Sequence, residues 1–318
     1  MKCRLGLMGV LVASVVLSGC LVANPTPAQR LKLSQVPSIP VTMTVDYGPE
    51  TGQQLDVYAP YFWRPTDARP ALVFVHGGGW NGGSRADLDR LFKSELRRGW
   101  VVISVDYRLS FAVDWPTPVQ DVDRAVRYVR AHAGEFGIDP GKVVTAGHSA
   151  GAHLVLAQGL GQGDPRFVAP DLPDELASVS SRPTAIVDMS GPVDLVSWLE
   201  DDWEASEYAL NLLFGCDPSV FQTLTCPMST VASGSVLDLL DTGDPPMYIA
   251  HGASDDVVRL RQPFMLYHRA MFLGMFRTVW LDVVDTGPSD GRGHFPGLGV
   301  NLATLDLFLD LAVRGTLR

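Results

Sequence analysis

The residues best able to do chemistry in this chain are a serine, two acids and two histidines, each set in or beside a glycine-rich turn. Ser149 sits in Gly147-His148-Ser149-Ala150-Gly151, a G-x-S-x-G pattern. Small residues at both ends permit a sharp, strained turn that lifts a hydroxyl clear of the backbone. A serine hydroxyl is a weak nucleophile and needs a neighbouring base. His294, in Gly291-Arg292-Gly293-His294-Phe295-Pro296, is the candidate base. An acid that orients such a histidine can come from His251-Gly252-Ala253-Ser254-Asp255-Asp256. Asp255 and Asp256 are adjacent, and alternating side-chain direction forbids both from pointing into one site; the residues alone leave that choice open. His76-Gly77-Gly78-Gly79-Trp80 supplies backbone N–H groups free to converge on one spot, as an oxyanion hole requires. A phosphate loop is the competing reading, but the Gly-Lys-Ser/Thr and dinucleotide spacings are lacking. His76 reads as shaping this loop rather than as the base.

These turns need elements that bring them together. Short continuous apolar runs at 71–75, 101–105, 143–146, 185–189, 247–250 and 278–284 predict buried strands. Residues 41–45 and 55–58 predict opening strands. Helical spacing predicts helices over 86–97, 119–132, 150–159 and 302–313. Alternating strands and helices imply a mostly parallel sheet with helices on both faces. Each candidate turn then falls at a strand's C-terminal end, where open α/β sheets bind ligands.

One connection breaks the rhythm. Almost sixty residues, by the predicted strands, separate the run ending at Met189 from that starting at Met247. So long a connection is rarely without function in a compact domain. Residues 195–244 are expected to form a helical cap over the site, with Trp198, Trp203 and Phe214 lining an acyl pocket.

The 318 residues are 46% hydrophobic and 19% charged, which excludes a disordered chain. A formal charge of −10 without a basic block argues against nucleic acid as a partner. Residues 1–19 read as an export signal: Lys2 and Arg4, then an apolar run from Leu5 to Leu17. The end, Leu17-Ser18-Gly19-Cys20, resembles the lipobox of bacterial lipoproteins, which implies a lipidated Cys20. The expectation is an exported protein, lipid-anchored on the extracytoplasmic face of a bacterial membrane. Residues 20–40, with Pro25, Pro27, Pro37 and Pro40, would be an extended tether and 41–318 the folded domain. Export sets an oxidising environment. Cys216 and Cys226 fit a disulfide there, and a zinc site is disfavoured because no histidine lies at ligand spacing beside them.

The whole pattern resembles the α/β-hydrolase esterases with an H-G-G-G oxyanion motif, the hormone-sensitive-lipase-like and carboxylesterase-like group. The resemblance rests on residues 76–80, Asp106-Tyr107-Arg108-Leu109, Gly137-Ile138-Asp139-Pro140, residues 147–151, Ser190-Gly191-Pro192-Val193-Asp194-Leu195 and His251-Gly252-x-x-Asp255. The chain departs from it at His148, where others carry Asp or Glu, and at Ala152, where a second glycine is frequent. The resemblance implies an α/β-hydrolase fold with Ser149 as nucleophile, Asp255 as acid and His294 as base. It implies oxyanion donors from Gly78, Gly79 and Ala150, with Gly77 a substitute. The substrate would be a small-molecule ester, with no cofactor and no metal. An amide-cleaving relative and a non-catalytic binding lipoprotein are the alternatives, the second disfavoured by the presence of all three triad residues.

Overall fold

The computed structural model describes residues 40–88, 90–201, 206–220, 223–285, 293–294 and 299–317. Eight strands form one sheet: β1 (Met43–Asp46), β2 (Gln54–Tyr58), β3 (Arg69–Val75), β4 (Val101–Val105), β5 (Ile138–His148), β6 (Ile186–Met189), β7 (Met247–Gly252) and β8 (Val279–Val284). Their order is β1-β2-β4-β3-β5-β6-β7-β8. β2 runs antiparallel to β1 and β4, and every pairing from β4 to β8 is parallel. This is the α/β-hydrolase architecture.

The parallel strands are buried on both faces, which explains their unbroken apolar runs. In β4, Val101, Ile103 and Val105 join one core layer, while Val102 joins the layer on the opposite face. The first layer is closed by α1 (Thr117–Ala131) and α2 (Ala150–Leu160). The second is closed by α6 (Leu302–Val313), the last of the six longer helices among the described residues. That helix buries Leu305, Phe308, Leu309 and Ala312, one stripe at helical spacing. Asn301 caps its start by accepting from the N–H groups of Ala303 and Thr304. Truncating Phe308 to Ala would cost about 3–5 kcal/mol.

Two expectations differ from the structure. The helix expected over 86–97 is broken into one-turn pieces at Arg85–Asp87, Arg90–Lys93 and Ser94–Arg98. Leu88 turns to extended backbone, and Arg85 is held by Asp56 and Asp106 instead of continuing a helix. A helix between β7 and β8, α5 (Arg261–Phe272), was not anticipated. Gln262 and Pro263 occupy its first turn and blur the apolar spacing.

The long connection between β6 and β7 carries α3 (Leu195–Glu200), α4 (Ser206–Leu213) and a short helix, Met228–Ala232. Asp194 caps α3 through the N–H groups of Val196 and Ser197. Gln262 fastens the same end: its Oε1 accepts from Val193 and Asp194 N–H at 2.9 Å each. Cys216 and Cys226 are disulfide-bonded within this connection, with Cα atoms 5.5 Å apart. Trp203 lies outside the described residues, as do Cys20, the export segment and the expected tether up to residue 39.

Candidate active site

Ser149 stands between β5 and α2 with φ 54° and ψ −122°, a conformation L-residues rarely adopt. The flanking glycines allow it. A Cβ on Gly147 would lie 2.3 Å from the carbonyl oxygen of Gly151, and one on Gly151 would lie 2.2 Å from that of Val75. Only hydrogen fits at either position, so the turn packs directly against the end of β3.

His294 reaches this serine from beyond β8. Its Nε2 accepts from the Ser149 hydroxyl at 2.9 Å, and its Nδ1–H donates to Asp255 Oδ2 at 2.8 Å. The hydrogen-bond pattern assigns this tautomer. Asp255 is buried and Asp256 exposed, so the ambiguity between the two acids is resolved by geometry. Asp255 Oδ1 also accepts from the N–H groups of Val257 and Val258. Burial alone would raise the Asp255 pKa, but hydrogen bonds from His251 and His294 outweigh it and hold the carboxyl well below its usual range. It is therefore an anion facing the imidazole, as a residue that stabilises an imidazolium must be.

His148, the departure from the family pattern, takes part in this arrangement. Its Nε2–H donates to the backbone carbonyl of His294 at 3.0 Å. Burial, then the neighbouring His294, push its pKa down to about 4, so it stays neutral. His76 is buried, stacked on Tyr107 at 4.4 Å, with Nδ1 donating to the Gly77 carbonyl at 2.8 Å.

Gly78 and Gly79 adopt φ of 118° and 57°, left-handed values that glycine accepts freely. Among the described residues, no protein group accepts from the N–H of either. Ala150 begins α2, so its N–H belongs to the unsatisfied first turn. All three residues line the cavity that holds Ser149 and His294.

Trp80, the next residue in the loop, also has positive φ, 61°, and is buried. His153, on α2, holds it: Trp80 Nε1–H donates to His153 Nδ1 at 3.2 Å. The other ring nitrogen of His153 donates to the Gly234 carbonyl, in the long connection, at 2.8 Å. Burial pushes the His153 pKa down to about 4. A histidine four positions after the nucleophile is a weak sequence signal, and this link could not be read without the fold.

The cavity measures about 360 Å³. Trp80, Pro192, Trp198, Val257 and Val258 give it apolar walls, and Asn81 and Tyr208 add polar groups. Trp198 lines it as expected, and its Nε1–H donates to the Val257 carbonyl at 2.8 Å, tying α3 to the acid loop. Phe214 does not line it. It packs with Trp115 at 6.3 Å, and the aromatic that α4 presents to the cavity is Tyr208.

Known proteins similar to this chain are named esterases. The esterase LipC of Mycobacterium tuberculosis is 31% identical over 76% of this chain and 58% of its own length. An arylesterase of Saccharolobus solfataricus is 33% identical over 56% of this chain and 60% of its own. The chain spans about half the length of the curated relatives it matches first. Among solved structures, esterase 2 of Thermogutta terrifontis superposes with a TM-score of 0.66 at 27% identity, covering 88% of this chain and 95% of that one. A truncated carbohydrate esterase from gut microbiota superposes with a TM-score of 0.71 at 24% identity, over 87% of this chain and 99% of that one, and bears on the fold alone. The BD-FAE family model matches residues 55–270, which include Ser149 and Asp255 and stop short of His294. With that match over most of its length, the chain belongs to the BD-FAE family of α/β-hydrolases.

Proposed function

We propose that this protein is a serine carboxylic-ester hydrolase. The observation that carries the reading is the continuous line Asp255–His294–Ser149, with contacts of 2.8 and 2.9 Å, opening into a small, largely apolar cavity. Ser149 attacks the ester carbonyl while His294 Nε2 takes its proton. Asp255 stabilises the imidazolium that forms. The tetrahedral oxyanion sits among the N–H groups of Gly78, Gly79 and Ala150, each worth about 3–4 kcal/mol in the transition state. His294 then protonates the departing alcohol, and water activated by the same nitrogen releases the acid. Esterase names among the relatives support ester over amide substrates.

A fluorophosphonate probe tests the reading. It should label the wild-type chain and leave Ser149→Ala unlabelled, with nitrophenyl-ester turnover abolished in a variant that stays folded. Labelling of Ser149→Ala would refute it. The same reading places the protein outside the cytoplasm, held to a bacterial membrane by lipid on Cys20, on the strength of the Leu17-Ser18-Gly19-Cys20 sequence after an apolar run. Two acyl chains anchor stably where one does not. Radiolabelled palmitate should enter the wild-type chain and not Cys20→Ser.

A further inference from the structure

The two edges of the sheet differ in their exposed rings: Phe111, 69% exposed, follows β4 at the C-terminal edge, and four others stand at the opposite one. Ser149, Asp255 and His294 follow the C-terminal ends of β5, β7 and β8. The opposite edge is about 20 Å away, the length of a six-residue strand. There the described chain begins: Thr42 N–H donates to the Val57 carbonyl, and Ala59 N–H donates to Thr42 Oγ1. The neighbouring loop presents Tyr61 and Phe62, 94% and 80% exposed. Phe272 and Phe276, between α5 and β8, are exposed at the same edge.

Cations accompany these rings. Arg64, Arg182, Arg277 and Arg314 are exposed at this edge, on a chain whose formal charge is −10. Arg182 and Arg314 share a polar recess of about 550 Å³ with Thr184. Of the acids there, Asp67 and Asp139 are paired with Arg69 and Lys142, Asp310 lies between Arg98 and Arg314, burial pushes Asp244 up to about 6, and Glu135 and Asp241 face solvent. Exposed aromatic rings beside arginines suit the boundary between anionic headgroups and acyl chains.

We infer that this edge, led by Tyr61 and Phe62, seats on an anionic lipid surface and turns the catalytic cavity away from it. The inference rests on the lipid anchor at Cys20. About twenty tether residues can span about 60 Å, so the anchor alone leaves the domain free to face either way. The aromatic edge fixes one orientation. The cavity then opens to the aqueous side and takes esters from solution, not from the bilayer that holds the enzyme.

The full lipidated chain, reconstituted in vesicles of brominated phosphatidylglycerol and phosphatidylcholine, tests this. Trp63 adjoins Phe62, whereas Trp80 and Trp198 line the cavity. Bromolipid quenching of tryptophan fluorescence should fall at least twofold in Trp63→Phe and in the double variant Tyr61→Ser/Phe62→Ser. It should be unchanged in Trp198→Phe. Turnover of a soluble nitrophenyl ester should be equal before and after reconstitution. Absence of quenching, or quenching lost in Trp198→Phe and retained in Trp63→Phe, overturns the inference. Flotation after a high-salt wash reads the anchor separately, because it should survive Tyr61→Ser/Phe62→Ser and fail in Cys20→Ser.

Discussion

His153→Ala tests whether the oxyanion loop is held from behind. The wild-type ring makes two buried hydrogen bonds, to Trp80 at 3.2 Å and to Gly234 at 2.8 Å. Alanine leaves the Trp80 indole N–H and the Gly234 carbonyl unpaired, at about 1–3 kcal/mol each, and opens a cavity beside Trp115. The expected loss of unfolding free energy is about 3–5 kcal/mol. Catalysis should fall as well. Trp80 follows Gly79 directly at φ 61°, and its release lets the donor N–H groups drift from the oxyanion position. Complete loss of one donor costs about 100- to 1,000-fold in kcat, so partial misplacement should cost about 10- to 100-fold, with KM changed much less. Nitrophenyl butyrate kinetics and denaturant unfolding on the same samples give both numbers. A stability loss of this size with kcat within twofold of wild type would refute the link to the oxyanion loop.

Three further predictions follow from the site. Asp255→Asn should lower kcat about 10⁴-fold, while exposed Asp256→Asn should stay within threefold; equal losses in steady-state assays would reassign the acid. Trp198→Ala and Tyr208→Ala should change the chain-length profile on nitrophenyl esters, and Phe214→Ala should not, because only the first two line the cavity. The pH dependence of His153 has a definite sign. Its folded pKa, about 4, lies below the ordinary 6.5, so between those values the unfolded chain binds a proton that the fold refuses. Its contribution is complete above pH 6.5 and is lost as the pH falls towards 4, by about 3 kcal/mol. The stability gap between wild type and His153→Ala should therefore shrink from pH 7 to pH 4 in equilibrium unfolding, and a constant gap would contradict the assignment.

The sheet and the meeting of Ser149, Asp255 and His294 at its C-terminal ends were legible because they rest on local rules. Continuous apolar runs mark strands buried on both faces, and Ser149, Asp255 and His294 sit in glycine-rich turns after such runs. What the sequence withheld is long-range. His153 bonds a loop 73 residues earlier and another 81 residues later, and nothing in the local pattern around it announces either. In the sequence His148 reads only as a departure from the family pattern, yet it donates to the carbonyl of His294, 146 residues away. Phe214 and Tyr208 are both aromatics of the long connection. Which of them faces the cavity depends on the rotation of α4, set by packing against Trp115 and not by composition.

These longer links explain how the site keeps two strained residues in place. Ser149 and Trp80 both hold positive φ without being glycine, at about 1–3 kcal/mol each. Neither conformation survives unless its surroundings forbid relaxation. A Cβ on Gly77 would lie 2.9 Å from the His148 carbonyl, so the oxyanion loop and the nucleophile turn meet backbone to backbone. Neither can shift without the other. His153 then joins the pair to the long connection at Gly234, and Trp198 joins that connection to the acid loop at Val257. Gly78, Gly79, Ser149 and Asp255 thus belong to one interlocked shell. It follows that damage to the connection should reach kcat as well as substrate binding, although no residue of that connection belongs to the triad.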